Sequence, residues 1–207
     1  MEPWTTKYRP SHIADCVLPP DLRDRLEGIV KQGQSPHLLF AGPPGVGKTT
    51  VALALCNDLG WRVWFKNASL HGRIENVRDE IAGFAQPDLS AFFGQQNQNC
   101  VVLDEADYLS GEAQAAMRNI LDGARCPFVL TANWPDKLIE PIRSRCAIIE
   151  FDYAQDRAVM IAGYRARLKE ILASEQVECA EEAAAALLDQ CFPDFRQVLN
   201  ELQSRIS

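Results

Sequence analysis

The chain has 207 residues, 47% of them apolar and 24% charged, with a formal net charge of −7; that suits one globular domain, or one with a small satellite. No apolar run approaches membrane-span length, and Met1-Glu2-Pro3-Trp4-Thr5 lacks the layout of a secretory signal, so the expectation is a cytoplasmic protein with no membrane partner. The acidic balance disfavours a general nucleic-acid coat but leaves room for a local arginine cluster, while seven scattered cysteines and His12, His37 and His71 show neither disulfide nor zinc-site spacing.

The first clear element is Leu38-Leu39-Phe40-Ala41, an apolar run that reads as a buried strand. Next comes Gly42-Pro43-Pro44-Gly45-Val46-Gly47-Lys48-Thr49, which fits G-x-x-x-x-G-K-[ST]. Each fixed position answers a demand of a bound triphosphate. The glycines let backbone N–H groups turn onto phosphate oxygens, Lys48 supplies a point charge, and the Thr49 hydroxyl suits Mg²⁺. A helix over 49–59, with Thr50 in its first turn, aims its N-terminus at the anion. Residues 61–65 read as a second strand, followed by a loop through Asn67, Ala68 and Ser69. Residues 75–85 carry Val77, Ile81 and Phe84 at helical spacing, and 87–98 is a polar loop rich in Gln and Asn.

Cys100-Val101-Val102-Leu103 is a buried strand that delivers Asp104 and Glu105 at its C-terminal end, where open α/β sheets bind ligands. Asp104 suits Mg²⁺ held through water, and Glu105 suits the orientation or deprotonation of an attacking water. Asp104-Glu105-Ala106-Asp107 spells the label of a helicase family, but about 100 residues remain after it, too few for the second motor domain those helicases need. Ser110-Gly111 opens a helix stopped by Gly123, and 127–132 and 147–151 are two more strands. Alternating strands and helices imply a parallel sheet covered on both faces. From 155 to 206 there are three helical segments and no strand, with breaks near Val177 and at Phe192-Pro193-Asp194. The expected organisation is an α/β nucleotide-binding domain over 1–152 and a small all-helical lid over 153–207. Asn133, Arg145 and Arg196 stand out as polar residues at element ends, each with an ordinary capping or surface reading when taken alone.

In that order, the motifs resemble those of AAA+ ATPases, and in particular the small subunits of replication factor C, a sliding-clamp loader. Trp4-Thr5-Thr6-Lys7-Tyr8-Arg9-Pro10 looks like the family's W-x-x-K-Y-R-P start, Asn67-Ala68-Ser69 like its N-A-S element, and Ser144-Arg145-Cys146 like its S-R-C signature. Phe192-Pro193-Asp194-Phe195-Arg196 is similar to a segment of the clamp loaders of T-even-type bacteriophages, the nearest likeness within the family. The resemblance implies a five-stranded AAA+ P-loop fold with a helical lid, ATP and Mg²⁺ as cofactors, and hydrolysis coupled to loading a clamp on primer–template DNA. Gly42, Pro43, Pro44, Gly45, Val46, Gly47, Lys48, Thr49 and Thr50 would hold the phosphates, with Thr49 and Asp104 on the metal. Glu105 would activate water, Asn133 would be the first sensor and Arg196 the second, and Arg145 the arginine finger acting on a neighbour's ATP. Tyr8, Arg9, Pro10 and Val17 would line the adenine pocket, and Asn67 would be the switch that holds Glu105 inactive. Family DNA contacts point to Arg73 (beside Gly72), Arg78 and Arg118, and clamp contacts to Ile81 and Phe84, for which a core stripe is the preferred reading. The implied partners are other clamp-loader subunits, the clamp and primed DNA. Relatives carry a third, collar domain, and this sequence stops at Ser207, just after the second-sensor helix. The competing readings are a non-hydrolysing regulatory subunit and another AAA+ role such as helicase loading or branch migration.

Overall fold

The computed structural model describes residues 2–69, 84, 98–177 and 179–206. Five parallel strands form one sheet in the order β2-β3-β4-β1-β5. They are β1 (Leu38–Ala41), β2 (Arg62–Asn67), β3 (Asn99–Asp104), β4 (Phe128–Ala132) and β5 (Ala147–Glu150). Eight α-helices are described: α1 (Trp4–Lys7), α2 (Pro20–Gln32), α3 (Lys48–Asp58), α4 (Gly111–Gly123), α5 (Glu140–Arg143), α6 (Arg157–Glu175), α7 (Glu181–Cys191) and α8 (Phe195–Ile206). The five strands expected from the sequence are all present, each within a residue or two of its expected ends.

The central strands read as unbroken apolar runs because both faces of the sheet are covered. Successive side chains alternate between two cores. Leu38, Phe40, Cys100, Val102, Val129 and Ile149 pack with α2, α3 and the C-terminal helices. Leu39, Val101, Leu103, Phe128 and Leu130 pack with α4 and α5 on the other face. The first core continues without a break through Trp4, Ile13 and Leu26 to Met160, Leu168, Leu188 and Leu199. Phe40 and Phe151 anchor it with ring centroids 5.2 Å apart.

Helix α2 was not expected from the sequence, although the signals were there. Pro20 occupies its first turn, Leu22 and Leu26 are its buried positions, and Gly33 closes it in the left-handed region at φ 66°. Helix α4 starts as expected, with the Ser110 side chain accepting from the Ala113 N–H at 3.2 Å. Of the helix expected over 75–85 and the loop over 87–98, all but Phe84 and Gln98 lie outside the described residues, as do Gly72, Arg73, Arg78 and Ile81. Phe84 is half-buried against the second core, and its carbonyl accepts from Asn99 Nδ2 at 2.7 Å.

Candidate functional site

The loop between β1 and α3 leaves the sheet at its C-terminal edge, between strands that run on to opposite sides, the position where open parallel sheets hold ligands. Gly45 and Gly47 sit at φ 79° and 95°, backbone that side-chain-bearing residues rarely adopt. A Cβ on Gly45 would also collide with the Asp194 carboxylate at the entrance to α8. Helix α3 begins at Lys48 directly behind the loop, so its unsatisfied N–H groups and positive end face the same space.

Lys48 is only 7% exposed. Its Nζ donates to the carbonyls of Gly42 (2.8 Å) and Pro43 (2.7 Å) and to Asn133 Oδ1 (2.7 Å). Burial pushes its pKa down to about 8, against the opposing pull of Asp104 and Asp107, with Arg196 adding to the lowering. All three acceptors are uncharged, so this cation meets a bound anion with no ion pair to break.

Asp104, at the end of β3, gathers the hydroxyls. Its Oδ1 accepts from Thr49 at 2.6 Å and from Thr131 at 2.7 Å, and its Oδ2 accepts from Asn67 Nδ2 at 3.3 Å. Thr131 Oγ1 also accepts from the Glu105 N–H at 2.9 Å, and Glu105 itself lies at φ 55°, a strained backbone for a residue with a side chain. Its carboxylate makes no hydrogen bond among the described residues. Asp107 ties the adjoining loops by accepting from the Asn133 and Trp134 N–H groups.

These groups open on a cleft of about 560 Å³, within the usual range for small-molecule sites. Its far walls come from the N-terminal segment (Arg9, Pro10, Val17) and from the C-terminal helices (Tyr164, Arg167, Phe195, Arg196). Tyr164 and Phe195 stack with centroids 4.6 Å apart and planes 5° from parallel. Arg196 is exposed and makes no ion pair among the described residues.

A profile of the ATPase family associated with various cellular activities (AAA) matches residues 38–153, more than half of the chain. The chain belongs to the AAA family of ATPases. Within curated AAA relatives, it is 39% identical over 210 residues to a replication factor C small subunit of Archaeoglobus fulgidus, covering 98% of this chain and 63% of that protein. It is 37% identical over 211 residues to the small subunit of Halobacterium salinarum (99% and 63%), and 38% identical over 213 residues to replication factor C subunit 2 of Arabidopsis thaliana (100% and 62%). The chain thus spans less than two thirds of the length of these relatives. Among solved structures, a Thermotoga maritima RuvB variant superposes with a TM-score of 0.68 at 21% identity, over 96% of this chain and 64% of that one. A second RuvB variant gives 0.70 at 19%, over 96% and 65%. That likeness supports the fold alone.

The donor set suits the Mg²⁺ that accompanies nucleotide in AAA proteins: a threonine hydroxyl and a carboxylate already 2.6 Å apart form an oxygen-only pair fit for a hard cation. Among the described residues, no cluster of three His, Cys, Asp or Glu offers a softer metal a site, and no helix is long and apolar enough to cross a membrane. The structure brings Lys48, Thr49, Asp104, Glu105, Asn133, Arg196, Arg9, Pro10 and Val17 to one cleft, with Thr50 and the loop from Pro44 onward. Gly42 and Pro43 contribute through the carbonyls that hold Lys48.

Tyr8 and Arg145 stand outside this cleft, whereas Asn67 lines it but bonds Asp104. Tyr8 is absent from the cleft lining: its hydroxyl donates to Glu175 at 2.6 Å, drawn away by that carboxylate and by Lys7 beside it. Asn67 donates to Asp104 and not to Glu105, because β2 pairs with β3 in a register that sets Asn67 opposite Asp104. Arg145 lies outside the cleft in a two-pronged pair with Asp122 (Nε 2.6 Å, Nη2 3.0 Å), while its Nη1 donates to the Pro141 carbonyl at 2.7 Å. Arg118 is exposed on α4. Sequence reasoning passed over Thr131, Tyr164, Phe195 and Arg167. For Thr131 a signal existed: it is a polar residue inside an otherwise apolar strand, and it is 1% exposed.

Proposed function

We propose that the chain binds Mg²⁺–ATP in this cleft and hydrolyses it as the motor part of a clamp-loader subunit. The reading rests above all on the convergence of Lys48 with Asn133 (2.7 Å) and of Thr49 with Asp104 (2.6 Å) at the ends of β1, β3 and β4. In it, the loop and α3 N-terminus cradle the phosphates and Lys48 neutralises their charge. Thr49 and Asp104 hold the metal, which when bound would draw charge from the phosphate oxygens. Glu105 orients the attacking water and takes its proton, with Asn133 at the outer phosphate and Arg196 reaching in from the lid, residues 153–207. Arg9, Pro10 and Val17 form the wall for the base.

Arg145 completes the site of a neighbouring subunit, which accords with its position outside its own cleft. Clamp and primer–template DNA are the partners on this reading, with Arg73, Arg78 and Arg118 on DNA phosphates. The similarity to replication factor C small subunits supports it, and Phe192-Pro193-Asp194-Phe195-Arg196 adds the likeness to the T-even phage type.

The test is steady-state ATP turnover per chain against protein concentration, with and without primed DNA and a clamp, using Glu105→Gln as the control. Turnover that rises with concentration, DNA and clamp supports the reading. A rate equal to that of Glu105→Gln under every condition contradicts it.

A further inference from the structure

Helix α6 holds the N-terminal segment at three points, at positions 163, 167 and 175. These four-residue multiples lie along one side of the helix. At Gly163 the two run so close that a Cβ would come within 2.6 Å of Val17 Cγ1. One turn on, Arg167 Nη2 donates to the Tyr8 carbonyl at 3.3 Å while its Nη1 donates to Glu170 Oε2 at 3.0 Å. At the far end, Glu175 Oε1 accepts from Lys7 Nζ at 2.7 Å and from the Tyr8 hydroxyl at 2.6 Å. Of the three contact residues, only Arg167 also lines the nucleotide cleft, beside Arg9, Pro10 and Val17. Its Nε is buried and finds no acceptor among the described residues. A buried donor left unpaired is costly, so something must hold the guanidinium in place. The planar fork does so, by spanning Glu170 and a backbone carbonyl at fixed geometry.

We infer that Arg167 is the positioning residue of the base-side wall. By holding the Tyr8 carbonyl it fixes the segment carrying Arg9, Pro10 and Val17 against α6, so the nucleoside half of a bound nucleotide meets a wall already formed. Preorganisation of this kind lowers the ordering cost of binding. Inorganic tripolyphosphate, which has no nucleoside, engages only the phosphate loop and is indifferent to this wall. The inference rests on the nucleotide reading of the cleft.

The experiment measures ADP and tripolyphosphate binding by calorimetry for the wild type, Arg167→Met and Arg167→Lys, with thermal melting as the folding control. Arg167→Met is expected to weaken ADP about tenfold, the scale of one lost hydrogen bond from a charged donor, and to leave tripolyphosphate unchanged. Arg167→Lys, with a single-point donor, falls between the two. In turnover, KM for ATP rises while kcat holds. Equal weakening of both ligands, or undiminished ADP binding, overturns the inference. If Arg167→Met fails to fold, the same comparison on Arg167→Lys decides. A wild type that binds tripolyphosphate but not ADP, or neither, overturns the nucleotide reading itself and the inference with it.

Discussion

Lys48 is a buried ammonium with three neutral acceptors, and its chemistry follows from that. In the free protein it loses its proton as pH passes about 8. A bound triphosphate favours the charged form, which raises the pKa in the complex, so binding takes up a proton between the two values. Affinity for nucleotide is therefore flat below about pH 8 and falls above it, and calorimetry across pH 7–9.5 should show this. Affinity that stays level through that range would show that Lys48 does not face the phosphates. Glu105 makes the opposite kind of prediction. Glu105→Gln preserves shape and binding but removes the base, so turnover should fall by about 10²–10⁴ with the nucleotide Kd little changed. Loss of binding in step with turnover would assign Glu105 a structural role instead.

At the scale of elements, the strands were legible because a parallel sheet buried on both faces demands unbroken apolar runs. The site residues at strand ends were legible because polar groups interrupt those runs. The phosphate loop carries its chemistry in its own spacing. Helix α2 was passed over among its charges, although Leu22 and Leu26, with the partly buried Ile29 and Val30, form a stripe at helical spacing. Neither the Asn67–Asp104 contact nor the Tyr8–Glu175 contact could be read from spacing, since each joins residues 37 or 167 positions apart through the fold. Nor could the Arg167 contact with the Tyr8 carbonyl, which joins residues 159 positions apart. Two stability measurements test the element account. Ser110→Ala removes the cap of α4 and should cost about 1 kcal/mol. Phe40→Ala empties a fully buried position between the sheet and Phe151 and should cost about 3–5 kcal/mol in denaturant unfolding. A cost for Phe40→Ala below that of Ser110→Ala would contradict the two-core packing.

For the whole molecule, the first core makes sheet, N-terminal segment and C-terminal helices one packed body around the cleft. Arg196 lines that cleft from α8, whereas Arg145 is held by Asp122 outside its lining. On the proposed reading, Arg145 leaves its pair with Asp122 to complete the site of a second chain. A trans arginine is worth about 10³–10⁵ in turnover in related phosphoryl-transfer systems. The most direct test mixes two inactive variants, Glu105→Gln and Arg145→Ala, and measures ATP hydrolysis. The first keeps the arginine and the second keeps the acid, so the mixture should recover activity that neither shows alone. A mixture as inactive as its components would contradict the claim that one chain's Arg145 serves another chain's ATP.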